Sequence, residues 1–356
     1  MYTIVLTSLT AFLMTFFGIP SIIRIATKNK FLDQPDERRV HFVSTPSLGG
    51  IGIFAGTIFA IIMWTPLDEF SGLQYILSAF FIIFLVGAKD DIDPISVSKK
   101  LIGQILAAGI IIFLADMRIT SLHGLFEIGV LPYTYSVVIS LLFVLLVINS
   151  FNFIDGINGL AGSLGIVMAV TFGTWFFLIG RIELAAIAFA LTGAITAFLY
   201  YNYTPAKIFM GDTGSLLLGL VVAILCINFL EAQQWMPAGD PYGYDSAIGV
   251  TVGIIFIPIF DAIRVLLMRV LSGQAPYKAD RSHIHHLLLR TGLSHMQATA
   301  ILVFCNVVFI GIVFHYQHIG NQQLLTMLFS VGIILTAVLF VLFAARKEML
   351  SQHRSR

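Results

Sequence analysis

Charged residues are scarce in this chain. Only 11% of its 356 residues are charged and 58% are hydrophobic, whereas soluble domains carry about 25% charged residues. A deficit of this size excludes an ordinary soluble domain. The net charge is only +1 and there is no long basic tract, so no nucleic-acid partner is expected.

Cysteines and processing signals are also few. Cys226 and Cys305 are the two cysteines, and both lie in apolar runs, which is typical of small buried hydrophobes and not of a disulfide framework or a metal site. No basic region precedes the first apolar segment and no small-residue cleavage site follows it, so we interpret it as a membrane span and not as a signal peptide. With no low-complexity stretch, clear repeat or soluble segment, residues 1–356 are expected to form a single integral membrane domain.

Long apolar runs are what the sequence has instead. A helix that crosses a bilayer needs about 20 apolar residues. The runs predict an all-α polytopic membrane protein of about 11 transmembrane helices, or 10, because the third and fourth runs are short. The predicted spans are 3–23, 47–66, 73–89, 101–115, 134–152, 159–179, 184–201, 214–230, 247–268, 298–316 and 322–345.

The distribution of basic residues predicts the orientation. Eleven spans place loops alternately on two sides, and 17 of the 20 Lys and Arg residues fall on one side. The other side has only Arg118 and Arg181, and Arg264 lies within the ninth span. Because positive loops stay in the cytoplasm, the N-terminus is predicted outside and the C-terminus inside. Residues 116–133, on the outer side, alternate enough to form a small hairpin.

Five polar clusters interrupt the apolar pattern, all on the predicted cytoplasmic side and at the ends of spans. They belong to predicted loops at about 24–46, 90–100, 149–159, 202–215 and 269–297. The clusters are HFVSTPSLGG (41–50), KDDIDP (89–94) with Lys99 and Lys100 beyond it, NSFNFIDGING (149–159), KIFMGDTGS (207–215) and ADRSHIHH (279–286).

The residue types in these clusters suit phosphate and metal chemistry. Clustered carboxylates repel each other unless a cation compensates them, and few hard oxygen ligands suit Mg²⁺ bound with a phosphate. The GDTGS segment opens a helix, whose N-terminal N–H groups favour an anion. Helix capping by the aspartates is an alternative. The histidines lack the spacing of a closed zinc site. Two roles stay open for them: contact with a phosphate or a lipid headgroup, or a structural cluster.

Four blocks in this order resemble the polyprenyl-phosphate N-acetylhexosamine-1-phosphate transferases. The resemblance covers about residues 40–290, and the last two spans carry no motif. The blocks are Asp90-Asp91, Asn152-Phe-Ile-Asp155-Gly-Ile-Asn158-Gly, Phe209-Met-Gly-Asp212-Thr-Gly-Ser215 and Asp280-Arg281-Ser-His283-Ile-His285-His286.

The resemblance implies an enzyme of the bacterial inner membrane with its active site on the cytoplasmic face. Such an enzyme transfers N-acetylhexosamine 1-phosphate, here expected to be GlcNAc 1-phosphate, from the UDP-sugar to undecaprenyl phosphate and releases UMP. This is the first membrane step of cell-envelope glycan synthesis. Mg²⁺ is the expected cofactor, with Mn²⁺ as an alternative, and a homodimer stays open. The related phospho-N-acetylmuramoyl-pentapeptide transferases are the alternative. They usually have three consecutive histidines and an Asp at the position of Asn158, whereas this chain has HIHH and Asn, so it resembles the N-acetylhexosamine branch.

The resemblance also implies roles for individual residues. Asp212 would hold the metal with Asn152 as a second ligand, and Phe209 would be a platform for uracil, whose edge Asn158 contacts. The remaining residues fall into a catalytic and a nucleotide-sugar group. The catalytic group is Asp90, Asp91, Lys100, Asp155 and His283, and the nucleotide-sugar group adds Asn149, Gly211, Arg281, His285 and His286 to Phe209 and Asn158.

Two further classes of protein compete with the transferase. A secondary transporter would use intramembrane carboxylates, and Asp261 with Arg264 inside the ninth span fits that class. Transporter sites, however, lie near the bilayer midplane between repeats, and the carboxylates here gather at the ends of spans. A structural interaction protein would not require the Asn and Asp clusters.

The predicted topology can be checked by labelling single cysteines in a variant that lacks Cys226 and Cys305. A cysteine at residue 240 should react from outside the membrane, and one at residue 278 only after the membrane is opened, because 17 of 20 basic residues place the two loops on opposite sides. Labelling of both from the same side would contradict the shared cytoplasmic face.

Overall fold

The computed structural model describes residues 2–29, 45–65, 72–237, 239–274 and 282–354, and this part of the chain is helical with no β-strand. The α4 helix continues into a π-helical turn, Ile110–Leu114. The helices are α1 (Tyr2–Lys28), α2 (Gly49–Trp64), α3 (Leu73–Ile92), α4 (Val97–Gly109), α5 (Tyr133–Ile154), α6 (Leu160–Leu178), α7 (Ile182–Asn202), α8 (Gly211–Gln234), α9 (Ala247–Ile254), α10 (Phe256–Leu271), α11 (Ile284–Arg290), α12 (His295–His315) and α13 (Asn321–Arg354).

The α8 helix forms the centre of the bundle. It is apolar on all sides, as expected of a helix buried in a membrane protein, and it packs against α2, α3, α5, α6, α7 and α9. Gly219 lets the backbone of α5 come close, since an added Cβ would lie 2.6 Å from the Cα of Ile148. Small residues at such contacts allow close helix packing within membranes. The α8 helix is therefore enclosed by six neighbouring helices.

The predicted membrane protein is confirmed at the level of its helices. By length and composition, eight helices of the described part could cross a membrane, or nine if α9 and α10 form one bent span. The helices α2 and α3 form where spans were predicted at 47–66 and 73–89, but they are not among these eight, and α2 has only 16 residues. The count of eleven spans and the orientation of the termini stay predictions.

The predicted ninth span, 247–268, is not one straight helix. It breaks at Ile255, and α9 and α10 meet at an angle of 86°. The fully buried Asn306 of α12 bonds both open ends: its Nδ2 donates to the carbonyl of Ile254 (3.0 Å), and its Oδ1 accepts from the N–H of Ile257 (3.2 Å). A break within a membrane requires such partners for the freed backbone groups. The axis of α10 therefore turns away from the axis of α9.

The predicted hairpin at 116–133 is present as a loop with one antiparallel bridge, between Ser121 and Val130. Glu231, near the end of α8, accepts hydrogen bonds from the N–H and the hydroxyl of Thr120, at 2.8 and 2.7 Å. The 24 residues of α8 span about 36 Å at 1.5 Å per residue. The hairpin and the GDTGS segment therefore lie at opposite ends of the central helix.

Candidate active site

The site is built around the N-terminus of α8. The carboxylate of Asp91, at the end of α3, accepts from the N–H groups of Asp212 (2.7 Å) and Thr213 (3.0 Å) and from the Thr213 hydroxyl (2.6 Å). A negative charge is favourable here because the first N–H groups of a helix lack partners within the helix. The anion expected at this N-terminus is thus a side chain of the protein itself, and a phosphate would have to compete with it for these two N–H groups.

Three glycines allow the surrounding helices to approach this N-terminus. A Cβ on Gly50 of α2 would lie 2.1 Å from the N atom of Gly214, and a Cβ on Gly87 of α3 would lie 2.5 Å from the Cα of Thr213. Gly211 has φ +71°, a conformation that glycine adopts without strain, and its added Cβ would lie 2.1 Å from the carbonyl oxygen of Ser47. The predicted site residue Gly211 is therefore required by backbone packing.

Backbone hydrogen bonds join the first and fourth sequence clusters. The N–H of Phe209 donates to the carbonyl of Pro46 (2.8 Å), and the N–H groups of Gly49 and Gly50 donate to the carbonyls of Phe209 (2.9 Å) and Met210 (2.8 Å). Two segments about 160 residues apart in sequence are thus fixed against each other. Phe209 itself is half-buried, so part of its surface remains exposed to solvent or a ligand.

Asp212 connects α8 to two further clusters. Its Oδ1 accepts from Nδ2 of Asn152 (2.7 Å), which also donates to the hydroxyl of Ser215 (3.1 Å). The ammonium of Lys100 contacts its Oδ2 and lies 3.5 Å from Oδ2 of Asp90. The helices α3, α4, α5 and α8 therefore bring these side chains into contact, whereas the sequence predicted only that their loops lie on the same side of the membrane.

Negative charge exceeds positive charge in this cluster. Asp90, Asp91 and Asp212 lie around the ammonium of Lys100, and Asp155 is close enough to Asp91 for the charge of Asp91 to affect it. Asp155 is half-buried; the loss of water around its carboxyl raises its pKa well above the ordinary value, and the charge of Asp91 raises this pKa further. An additional cation would relieve this repulsion.

The donors fit Mg²⁺ held with a substrate phosphate. No group of three or more His, Cys, Asp or Glu side chains among the described residues could hold a metal on its own. Mg²⁺ does not need such a cage, since it usually takes one or two carboxylates, substrate phosphates and water. Asp212 offers a carboxylate that is 21% exposed. Asn152 presents its N–H to Asp212, which orients that carboxylate; as a metal ligand its amide would have to turn over.

The histidine cluster docks on the end of α5. The ring of His283 packs against Phe153, with centroids 5.7 Å apart. Its Nδ1 lies 2.9 Å from Oδ2 of Asp261, a fully buried residue of α10. The ring of His286 packs on the ring of His285, with centroids 4.2 Å apart. The fifth cluster thus joins the same end of the bundle.

His285 was predicted to contact the nucleotide sugar, but it is buried. It is completely shielded from solvent, and its ring lies directly against Gly156, where an added Cβ would be 2.2 Å from Nε2. Among the described residues neither ring nitrogen has a hydrogen-bond partner. Burial, together with the charge of His286, lowers the pKa of His285 to about 3. The geometry gives His285 a packing role.

Two predicted asparagines also have structural partners. Asn149 exchanges two hydrogen bonds with the side-chain amide of Gln104, at 2.7 and 3.3 Å, and joins α5 to α4. Asn158 is 4% exposed, and its Nδ2 donates to the hydroxyl of Thr204 (3.0 Å). The amide of Asn149 thus joins two helices, whereas Oδ1 of Asn158 has no hydrogen-bond partner among the described residues. The predicted contacts of both residues with the nucleotide sugar stay predictions. Arg281, also predicted, lies outside the described residues.

Sequence reasoning did not assign Asp261 to this site. The spacing of Asp261 and Arg264 in one helix was visible, but it indicated a membrane-buried ion pair and not a partner for His283. The missing information was the bend at Ile255, which redirects α10 towards the histidine cluster.

The geometry therefore defines a helical membrane protein with an acidic site at one end of its bundle. The profile of the family described as glycosyl transferase family 4 matches residues 73–230, a range that includes Asp90, Lys100, Asn152 and Asp212.

The full-length relatives agree with this match. The undecaprenyl-phosphate alpha-N-acetylglucosaminyl 1-phosphate transferase of Salmonella typhi is 30% identical over 333 residues, which are 91% of this chain and 87% of the relative. The corresponding protein of Yersinia pestis is 31% identical over 286 residues, with 78% and 75% covered. The decaprenyl-phosphate N-acetylglucosaminephosphotransferase of Mycobacterium tuberculosis (H37Rv) is 29% identical over 319 residues, with 83% and 78% covered. The chain belongs to glycosyl transferase family 4.

Substitution of Asp91 should reveal its capping role. Asp91→Ala removes three hydrogen bonds at the start of α8, and loss of a cap costs about 0.5–2 kcal/mol, so the thermal midpoint in detergent should fall. Asp93→Ala is the matched control, because Asp93 lies on the same turn but is exposed and, in the described part of the chain, pairs with the exposed Lys89. Equal midpoints for the two variants would contradict the capping role.

Proposed function

We propose that this enzyme transfers GlcNAc 1-phosphate from UDP-GlcNAc to undecaprenyl phosphate and releases UMP. The observation that carries the proposal is the cluster of Asp90, Lys100, Asn152 and Asp212 around the start of α8. Over most of its length the chain also aligns with proteins named as N-acetylglucosaminyl 1-phosphate transferases. The alternative substrate of the pentapeptide transferases is less well supported, because the relatives compared are named for N-acetylglucosamine.

The membrane placement belongs to the same proposal. A water-soluble nucleotide sugar and a membrane-held phosphate can meet only at a membrane interface, and the five clusters lie at the ends of apolar helices. With eleven spans and the basic loops inside, that interface is the cytoplasmic face of the inner membrane. A homodimer stays a prediction.

Asp212, oriented by Asn152, is the residue best placed to hold Mg²⁺ together with the pyrophosphate of the donor. The bound metal would offset the charge that develops on the leaving UMP. Mn²⁺ has the same charge and accepts the same oxygen donors. Lys100 would contribute a second positive charge, since its ammonium already contacts the carboxylate of Asp212.

The acceptor phosphate needs little activation. A phosphate monoester has a second pKa near 6 and is largely a dianion at neutral pH. One of its oxygens attacks the β-phosphorus, the bond between that phosphorus and the bridging oxygen breaks, and UMP leaves with the bonding electrons. Asp90 would accept a residual proton or orient the acceptor. Asp91 is the weaker candidate for this task, because its carboxylate is bonded to α8.

Phe209 is proposed as the platform for the uracil ring. It is half-buried three residues before Asp212, and its backbone is fixed by Pro46 and Gly49, so a base stacked on it would hold the donor pyrophosphate near the acidic cluster. Stacking needs no hydrogen bond from Asn158, whose amide contacts Thr204.

A secondary transporter is not favoured by the described contacts. The carboxylate that fitted a transporter, Asp261, is bonded to Arg264 and His283 at the histidine cluster, and the break at Ile255 is capped by the uncharged Asn306. These groups already have partners within the protein, whereas the carboxylates that share the single ammonium of Lys100 lie at the end of the bundle.

Purified protein in detergent should release UMP from UDP-GlcNAc only when undecaprenyl phosphate and Mg²⁺ are both present. Asp212→Asn should abolish the release and leave the protein folded, because an amide is a poorer Mg²⁺ ligand than a carboxylate. The matched control Asp245→Asn alters an exposed carboxylate and should be as active as the unchanged protein. UMP release without the lipid, or full activity of Asp212→Asn, would contradict the proposal.

The uracil platform predicts a graded effect of substitutions at Phe209. Phe209→Ala should weaken UDP-GlcNAc binding by about 1–3 kcal/mol, the contribution of base stacking, or about 5- to 150-fold. Phe209→Tyr should retain most of the affinity, whereas Phe209→Leu, which is apolar without a π face, should not. Calorimetric titration with UDP-GlcNAc or UMP measures this, and equal affinity of the Leu and Phe proteins would show that Phe209 is a packing residue.

A further inference from the structure

Asn202 is the last residue of α7, lies outside the five polar clusters and has no part in the proposed reaction. Its side chain is 5% exposed and is bonded through both ends of its amide. Nδ2 donates to the carbonyl of Ile208 (2.9 Å), and Oδ1 accepts from the N–H of Gly159 (2.7 Å). Buried polar groups are stable when they have such partners. The amide therefore joins the loop after α5 to the segment before α8.

The bond to Ile208 fixes the peptide unit that precedes Phe209. The carbonyl of Ile208 and the N–H of Phe209 belong to this one unit, which is planar. Asn202 donates to its carbonyl, and its N–H donates to the carbonyl of Pro46 (2.8 Å). Because the plane is held at both ends, the direction in which the Phe209 side chain leaves the backbone is restricted.

The bond to Gly159 attaches this segment to a second peptide unit that is also held at both ends. The unit consists of the carbonyl of Asn158 and the N–H of Gly159. Asn202 accepts from the N–H, and the hydroxyl of Thr299 in α12 donates to the carbonyl (2.9 Å). Thr299 is itself buried. The loop after α5 is therefore a fixed support for the segment that carries Phe209.

We infer that Asn202 is a positioning residue for the nucleotide, because it holds the peptide unit before Phe209 in the orientation in which the ring stacks on uracil. The inference rests on the proposed role of Phe209 as the uracil platform. A group that is fixed before binding loses less conformational entropy when the ligand arrives, so it binds more tightly. Asn202 is buried and acts through Phe209, without contact with the substrate.

Asn202→Leu removes both hydrogen bonds and keeps the branched shape of the side chain. Calorimetric titration with UMP in the presence of Mg²⁺ should show weaker binding, up to the limit of about 5- to 150-fold at which base stacking is lost completely. The KM for UDP-GlcNAc should rise, whereas kcat at saturating donor and the KM for undecaprenyl phosphate should change little, since the lipid has no base. Unchanged UMP affinity would overturn the inference. Asn202→Ser, which adds no apolar bulk, replaces a Leu protein that does not fold.

Asn228→Leu is the matched control for a general structural effect. Asn228 is also a buried asparagine whose Nδ2 donates to a backbone carbonyl, that of Ile224 (2.9 Å), but it lies in the half of α8 away from the acidic site. The thermal midpoint in detergent should fall in both variants, because each loses buried hydrogen bonds. UMP affinity should fall only in Asn202→Leu, and an equal loss in Asn228→Leu would overturn the inference.

A double substitution shows whether Asn202 acts through Phe209. In a Phe209→Leu protein, whose side chain has no π face, Asn202→Leu should cause little further loss of UMP affinity, because residues that act as a unit are not additive. Losses that multiply would overturn the inference. If Phe209→Leu binds UMP as well as the unchanged protein does, the uracil platform is wrong and the inference fails with it. If Phe209→Leu binds UMP weakly and Asn202→Leu binds it normally, the inference alone fails.

Discussion

The carboxylate of Asp91 at the N-terminus of α8 is the interaction on which the rest of the site depends. It occupies N–H groups that have no partner within the helix, and the favourable interaction with the helix dipole holds the end of α3 against the start of the central helix. Asp212 lies in the first turn of α8, so its position relative to Lys100 and Asn152 follows from this contact. The acidic site is thus built on a carboxylate that belongs to the protein.

The two adjacent aspartates illustrate how neighbouring residues of one type divide their tasks. Asp91 is bonded to α8, whereas Asp90 accepts from the N–H of Ile95 (2.8 Å) and lies 3.5 Å from the ammonium of Lys100. Asp91 thus fixes the start of α8 against α3, and Asp90 lies beside the ammonium of Lys100. On this basis Asp90 and Asp91 are not interchangeable, although both stand in the same motif.

Uncharged amides organise the interior in several places. Asn306 bonds both ends of the broken helix, Asn149 pairs with Gln104 between α4 and α5, and Asn152 orients Asp212. An amide offers a donor and an acceptor without the desolvation cost of a charge, which suits helices surrounded by lipid. The same chemistry also suits ligand binding, so the type of residue alone does not distinguish the two uses.

The sequence by itself determined the class of protein, the ends of most helices and the gathering of its polar clusters, because apolar length and loop charge act through local composition. It also indicated Asp212 and Asn152 as members of one site. Only the tertiary structure decided that Asp91 caps α8, that His285 packs against Gly156, and that the amides of Asn149 and Asn158 bond to distant residues. These contacts join residues far apart in the chain, and no local pattern contains them. The bend of the ninth apolar run has a local cause, because Pro258 has no N–H to donate to the carbonyl of Ile254, whereas the capping of that carbonyl by Asn306 was decided by the tertiary structure.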